Sequence, residues 1–336
     1  MNSFKSKILF RCDAGYIPKI GTGHLYRCLT IAKFLKKKFK LRNQNIIFIV
    51  KVSNKFSLAK KIIENEKFNF FGILNHKIKN YSEKELKIIN KFSSRLIIID
   101  RLDKISKNFI LKLRNNYKKI ILLDDASNNR KYADLTLNPT ILNVKRINNC
   151  KIGYKYNIIP SILHKRKAFK KKIDGFFLFF GGFDKNNYTK KIGDVLLKLN
   201  ISSKIFINSD KKLLFEPEKR KKILFFKKKD HFKTLLKSKY IISAGGLGMF
   251  DGIALNKHLI CIPQYNHQKK NINNLEKRGA IIKLEPKNKK KMKKLFSNLL
   301  KNKINLEKLK KNQKKILNFN HVKNNLLKIS AVYEKN

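Results

Sequence analysis

The sequence has no uninterrupted apolar run approaching the roughly 20 residues that a membrane-spanning helix needs, so no membrane span is expected. Its first stretch, MNSFKSKILFRCD, turns polar too early for a secretory signal. Cysteine is scarce: Cys12, Cys28, Cys150 and Cys261 are scattered, and none forms a C-x-x-C pair. That spacing excludes a disulfide scaffold and argues against a structural zinc site, and a reduced cytoplasm is the expected compartment. Acidic residues number only 22, and no set of carboxylates is grouped to suit Mg²⁺, so neither metal nor cofactor is expected. No nucleic-acid module is recognisable, and no nucleic-acid partner is expected.

What is present is a chain of 336 residues, 42% hydrophobic, with Ile, Leu and Phe spread evenly along it. Collagen, coiled coil and disorder are excluded by that spread, and the length favours two domains over one. The net charge is +58. The lysines are not gathered in one block, and Asn and Ile are abundant beside Lys, the trio that AT-rich coding produces. The charge therefore reads first as a solvated surface with Lys stems covering apolar patches. Steering of an anionic substrate comes second and nucleic acid third.

Short β-branched or aromatic runs alternate with amphipathic stretches. The first half offers strands at Lys7–Cys12, Ile46–Lys51, Phe70–Leu74, Leu96–Asp100, Ile120–Asp124 and Leu135–Asn138. The second half restarts the rhythm with Gly175–Phe180, Lys204–Ile207, Ile223–Phe226, Tyr240–Ser243, His258–Ile262 and Ala280–Lys283. Alternation of this kind predicts an α/β protein whose parallel sheets are covered on both faces. There are too many units for one sheet of ordinary size, so two Rossmann-like domains are expected. The expected boundaries are 1–158 for the first domain, 159–173 for a linker, 174–305 for the second and 306–336 for closing helices.

Ligands in such sheets bind at the carboxyl ends of strands, and three glycine-bearing loops fall there. Ile20-Gly21-Thr22-Gly23-His24 opens a helix, which offers free N–H groups to an anion and puts His24 in the first turn. Taken alone, Gly-x-Gly-His is a weak signal and fits a polar first-turn residue better than a functional one. Phe180-Gly181-Gly182-Phe183-Asp184 ends an apolar strand, and Asp184-Lys185-Asn186 can cap the next helix. Ser243-Ala244-Gly245-Gly246 precedes a helix that carries Asp251 one turn in, where a carboxylate can accept ribose hydroxyls or face solvent.

Several of these motifs together resemble a known family. Phe10-Arg11-Cys12-Asp13 followed by Ile20-Gly21-Thr22-Gly23-His24-Leu25-Tyr26-Arg27-Cys28-Leu29-Thr30-Ile31-Ala32 is similar to F-R-x-D and I-G-x-G-H-x-x-R-x-L-x-x-A of the UDP-sugar hydrolase of the pseudaminic acid pathway. The resemblance continues at Ile97–Asp100, Asp124-Asp125, Leu137-Asn138 and Gly181-Gly182-Phe183-Asp184 with Asn187 and Thr189. Ser243–Gly246, Asp251, Ile262-Pro263 and His267-Gln268 resemble the donor-binding segment shared with MurG-type glycosyltransferases. The chain departs from the family at Arg101-Leu102, where a Tyr is usual two residues after the Asp, at Asp251 in place of Glu, and at His267 in place of Asn.

The resemblance implies the glycosyltransferase type B architecture and metal-independent hydrolysis of a UDP-activated diacetamido-trideoxy sugar. In that reading His24 is the base that deprotonates water for attack at the anomeric carbon. Either Asp13 or Asp100 is available to orient it. Arg11, Gly21, Gly23, Arg27, Asn138, Gly181, Gly182, Asp184, Ala244, Gly245, Gly246, Asp251, His267 and Gln268 are the implied substrate contacts. A nucleotide-sugar glycosyltransferase, in which a hydroxyl replaces water, is the alternative.

Overall fold

The computed structural model describes residues 7–15, 20–53, 56–74, 78–92, 94–101, 103–168, 173–181, 184–199, 202–285, 288–301 and 305–335. Gly182, expected at the ligand site, lies outside the described residues, as does Leu102. The chain divides into two units, one of residues 1–160 with 319–336 and the other of 161–318.

The first unit runs β1 (Ile8–Cys12), α1 (Gly23–Lys38), β2 (Ile46–Lys51), α2 (Ser57–Asn65), β3 (Asn69–Ile73), α3 (Glu83–Ile89), β4 (Ser94–Asp100), α4 (Lys107–Arg114), β5 (Tyr117–Leu123), β6 (Leu135–Asn138) and β7 (Cys150–Ile152). Its seven strands are ordered β3-β2-β1-β4-β5-β6-β7, and every pairing is parallel. The central strands read as unbroken apolar runs because helices cover both faces. On one face Leu9, Ile49, Ile97, Ile99, Ile120 and Leu122 pack with Leu86 and Ile89 of α3 and Phe109, Ile110 and Leu113 of α4. Ser82 and Ser106 accept the backbone N–H groups of Glu85 and Phe109, which starts α3 and α4 where a hydroxyl can take an orphan donor.

The second unit holds β8 (Ile173–Phe179), α5 (Tyr188–Lys198), β9 (Lys204–Asn208), α6 (Pro217–Arg220), β10 (Ile223–Phe226), α7 (His231–Lys237), β11 (Ser238–Ser243), α8 (Leu247–Ala254), β12 (His258–Cys261), α9 (Asn266–Lys277), β13 (Ile282–Lys283), α10 (Lys289–Leu300) and α11 (Leu306–Ile316). Its sheet order is β10-β9-β8-β11-β12-β13, again all parallel. Phe176, Leu178, Ile205, Ile207, Ile242 and Ile260 pack with Ile192 and Leu196 of α5 and with Met292, Phe296 and Leu299 of α10.

Three features differ from the sequence expectation. β7 is an extra edge strand; three residues without an apolar run leave no periodicity to read. β13 shortens to Ile282–Lys283. The tail expected as one closing segment is shared between the units. α11 stays with the second, where Gln313 donates to the carbonyls of Lys257 and Ala280. The last helix, α12 (Phe319–Glu334), returns to the first, where Asn325 donates to the carbonyls of Lys155 and Asn157 and the Arg95 guanidinium donates to the Tyr333 carbonyl.

Candidate functional site

In each unit the strand order reverses beside the first strand, between β1 and β4 and between β8 and β11. The carboxyl ends of those neighbouring strands part there and leave room for side chains. Cys12 is in register with Asp100, and Phe179 with Ser243, so each pair of loops singled out from the sequence leaves its sheet at the reversal.

In the first unit, α1 begins at Gly23 with Thr22 as its cap, and His24 sits in the opening turn. The His24 Nδ1 lies 2.7 Å from Oδ1 of Asp100, the last residue of β4. Arg27, on the next turn, donates from Nε to Asp100 Oδ2 at 2.7 Å, from Nη2 to Oδ1 at 2.5 Å, and from Nη1 to Asp124 Oδ2 at 2.8 Å. Burial alone would push the Asp100 carboxyl up, but the charges and hydrogen bonds of Arg27 and His24 outweigh it and hold it at about 2. An ionised Asp100 accepts, so the Nδ1 proton stays on His24 and Nε2 is left as the basic nitrogen. The His24 side chain keeps 12% of its surface exposed while Asp100 has none.

Asp13 does not partner His24. It belongs to a second buried cluster, where its carboxylate accepts from Arg11 Nη1 at 2.7 Å, Arg101 Nη2 at 3.2 Å and the Lys51 backbone N–H at 2.8 Å. These partners hold the Asp13 carboxyl below the usual range against the opposing effect of burial. Glu85 of α3, fully buried, accepts from Arg11 Nε and Arg101 Nη1, both at 2.7 Å. Glu85 carries no motif. The signal for it is indirect: two arginines at strand ends of a sheet buried on both faces require carboxylates.

Three expected substrate contacts in this unit are engaged by protein partners. Arg11 has no exposed surface and is taken up by Glu85, Asp13 and the carbonyls of Cys12 and Ile49. Arg27 is 2% exposed and is committed to Asp100 and Asp124. Asn138 is fully buried, accepts from the Asp125 N–H and donates to the Asp125 carbonyl. In each case the polar groups that a motif offers to a ligand are occupied by protein partners. Gly21 and Gly23 are half-buried at the start of α1, beside His24.

In the second unit, Gly181 is exposed and adopts φ +82°, with no atom within 4 Å of the position of a Cβ, so the chain turns here in a conformation that only glycine takes cheaply. The Asp184 carboxylate caps α5: it accepts from the N–H groups of Tyr188 and Thr189 and from the Thr189 hydroxyl. These bonds fix the loop. Gln264, which no motif marked, fastens the same loop by donating to the Phe180 carbonyl and accepting from the Lys185 N–H. Gln268 in turn accepts from the Gln264 N–H.

Ala244 and Gly245 are buried. A Cβ on Gly245 would lie 2.8 Å from Ile272 and 3.0 Å from Gln268, so this glycine lets α9 approach the loop. Gly246 is half-buried, and the nearest atom to its missing Cβ, Gln268 Nε2, is 3.8 Å away. Asp251 is 7% exposed, and its carboxylate makes no hydrogen bond or ion pair among the described residues. Burial pushes its carboxyl well above the usual range. A buried carboxylate without a partner is a costly arrangement that a ligand hydroxyl relieves. His267 is exposed and stacks on Tyr265 at 5.8 Å between ring centres.

No group of three or more His, Cys, Asp or Glu residues is placed to hold a metal ion among the described residues. No described helix is long and apolar enough to cross a membrane.

No protein-family model and no curated protein sequence matches this chain. Solved structures do. MurG of Acinetobacter baumannii is similar with a TM-score of 0.62 at 11% identity, over 97% of this chain and 99% of that one. A glycosyltransferase from Rickettsia africae ESF-5 gives 0.54 at 16% identity, over 98% of each chain. MnaA of S. aureus, solved with UDP, gives 0.56 at 12% identity, over 90% of this chain and 91% of that one. The likeness is one of fold: this chain has the two-domain, doubly Rossmann-like architecture of type B glycosyltransferases.

Proposed function

We propose that the protein is an enzyme acting on a nucleoside-diphosphate sugar, with UDP as the nucleotide, and that it transfers the glycosyl group to an oxygen nucleophile. The observation that carries the reading is the His24–Asp100 pair, an imidazole oriented by a buried carboxylate at the carboxyl end of a central strand. In the reaction His24 Nε2 takes the proton of the attacking hydroxyl. The hydroxyl oxygen bonds to the anomeric carbon as the bond from that carbon to the diphosphate oxygen breaks. UDP leaves with the bonding electrons, and the anomeric centre inverts. The second unit supplies the nucleotide contacts. Asp251 accepts the ribose hydroxyls, and the backbone N–H groups where Gly246 opens α8 meet the diphosphate charge.

Transfer to an acceptor hydroxyl is the reading that the similar solved structures support. A specific observation favours water as a second reading. The stretch Phe10–Ala32 is similar to the signature of the pseudaminic pathway hydrolase, whose substrate is a UDP-activated diacetamido-trideoxy sugar. Product analysis over a panel of UDP-sugars separates the two. UDP release only with an added acceptor supports transfer. Free sugar formed without acceptor, carrying solvent ¹⁸O, supports hydrolysis. Label in the nucleotide product, or no UDP binding by calorimetry, refutes both.

A further inference from the structure

His24, Asp100, Arg27 and Asp124 form one continuous chain of hydrogen bonds. Arg27 grips both oxygens of Asp100 and spends its third donor direction on Asp124. Asp124 is itself fixed. It follows β5 in a left-handed backbone conformation, φ 54°, its N–H donates to the Leu137 carbonyl, and its Oδ1 accepts from the Thr140 N–H at 2.9 Å. Neither residue reaches a ligand, since Asp124 is fully buried and Arg27 is 2% exposed. Two thiols also lie against the chain: Cys28 Sγ is 3.8 Å from Asp100 Oδ2, and Cys12 adjoins Cys28.

We propose that Arg27 and Asp124 are positioning residues. Asp124 fixes Arg27, Arg27 fixes the rotation of the Asp100 carboxylate, and Asp100 keeps the His24 proton on Nδ1 so that Nε2 stays basic. The planar fork of Arg27 is essential because a lysine ammonium cannot bond both oxygens of one carboxylate and one of another in fixed directions. The catalytic consequence rests on the glycosyl-transfer reading above; the tautomer does not.

The test is ¹⁵N NMR of the imidazole nitrogens in the full-length protein with labelled histidine, the His24 signals being assigned by their loss in His24→Asn. Spectra are taken above the ordinary titration range of histidine. The parent is expected to show the Nδ1–H form. Arg27→Lys and Asp124→Asn, compared at matched thermal melting, are expected to show both tautomers in exchange. Both should lose about 10–100-fold in kcat, the usual size of effect for an outer partner that orients a histidine. KM and calorimetric UDP affinity should change less than about twofold. An Nε2–H form in the parent overturns the proposal, and that measurement needs no variant to fold. A retained single Nδ1–H form in either folded variant also overturns it. Loss of the single tautomer with unchanged kcat upholds the positioning chain and removes His24 from the reaction, so the two readings fail separately.

Discussion

Glu85 offers the sharpest test of the buried charge cluster in the first unit. Its carboxylate accepts from Arg11 Nε, from Arg101 Nη1 and from the Tyr81 N–H at 2.5 Å, and it has no exposed surface. Glu85→Ala leaves Arg11 and Arg101 with Asp13 as their one carboxylate partner among the described residues. Removing one partner from a buried ionic group costs about 3–5 kcal/mol, because the remaining charge keeps its desolvation penalty. For a unit of this size about 2–4 °C is lost per kcal/mol, so the first unit should melt roughly 6–20 °C earlier. Glu85→Gln keeps an acceptor and should lose about half as much. The chain contains no Trp, so hydrogen exchange read by mass spectrometry is the suitable assay. It should show faster exchange in β1 and β4 with β8 and β11 unchanged. A loss below about 1 kcal/mol in the Ala variant would refute the reasoning and show that water or a shifted side chain compensates the arginines.

Four further outcomes are expected. His24→Asn should lower kcat by about 10²–10⁴-fold while calorimetric UDP affinity stays the same; near-parental turnover removes His24 from the mechanism. Asp251→Ala should weaken UDP binding by the loss of its hydrogen bonds to the ribose, about 1–3 kcal/mol, with kcat little changed, and unaltered calorimetry would show that no ribose reaches it. Gly245→Ala should destabilise the second unit by about 1–3 kcal/mol, because its methyl meets Ile272 at 2.8 Å, whereas Gly246→Ala should melt normally and lose UDP affinity. Acid should loosen the first unit. Glu85 and Asp100 hold pKa values below the unfolded ones despite burial, so their contribution is complete above about pH 4.5 and fades as pH falls toward 2. A pH-independent melting temperature over that window contradicts the ion-pair assignment.

The two sheets were legible because Ile8–Cys12, Ile97–Asp100, Phe176–Phe179 and Tyr240–Ser243 are apolar runs that only a strand covered on both faces accommodates. The switch-point loops were legible too, since glycine after such a run marks the carboxyl end. The fate of the motif arginines was not. Arg11 and Arg27 sit in a signature of substrate-binding type, yet their partners Glu85 and Asp100 lie 74 and 73 residues away, and local spacing carries no information about such pairs. The choice between Asp13 and Asp100 was open for the same reason. The destination of α12 was also hidden. Its apolar pattern tells which face is buried, but not which sheet receives it.

That helix sets an order of events during synthesis. The first unit takes residues 1–160 and is completed by residues 319–336, which are translated after all of the second unit. Val322, Leu326 and Ile329 of α12 are buried in a unit whose strands end more than 160 residues earlier. Meanwhile the first unit lacks α12, at ordinary rates for about 8–30 seconds of elongation. The contiguous second unit has no such wait. Apolar surface left open in a growing chain is a target for chaperones, and the chain should engage them through its first unit until α12 arrives.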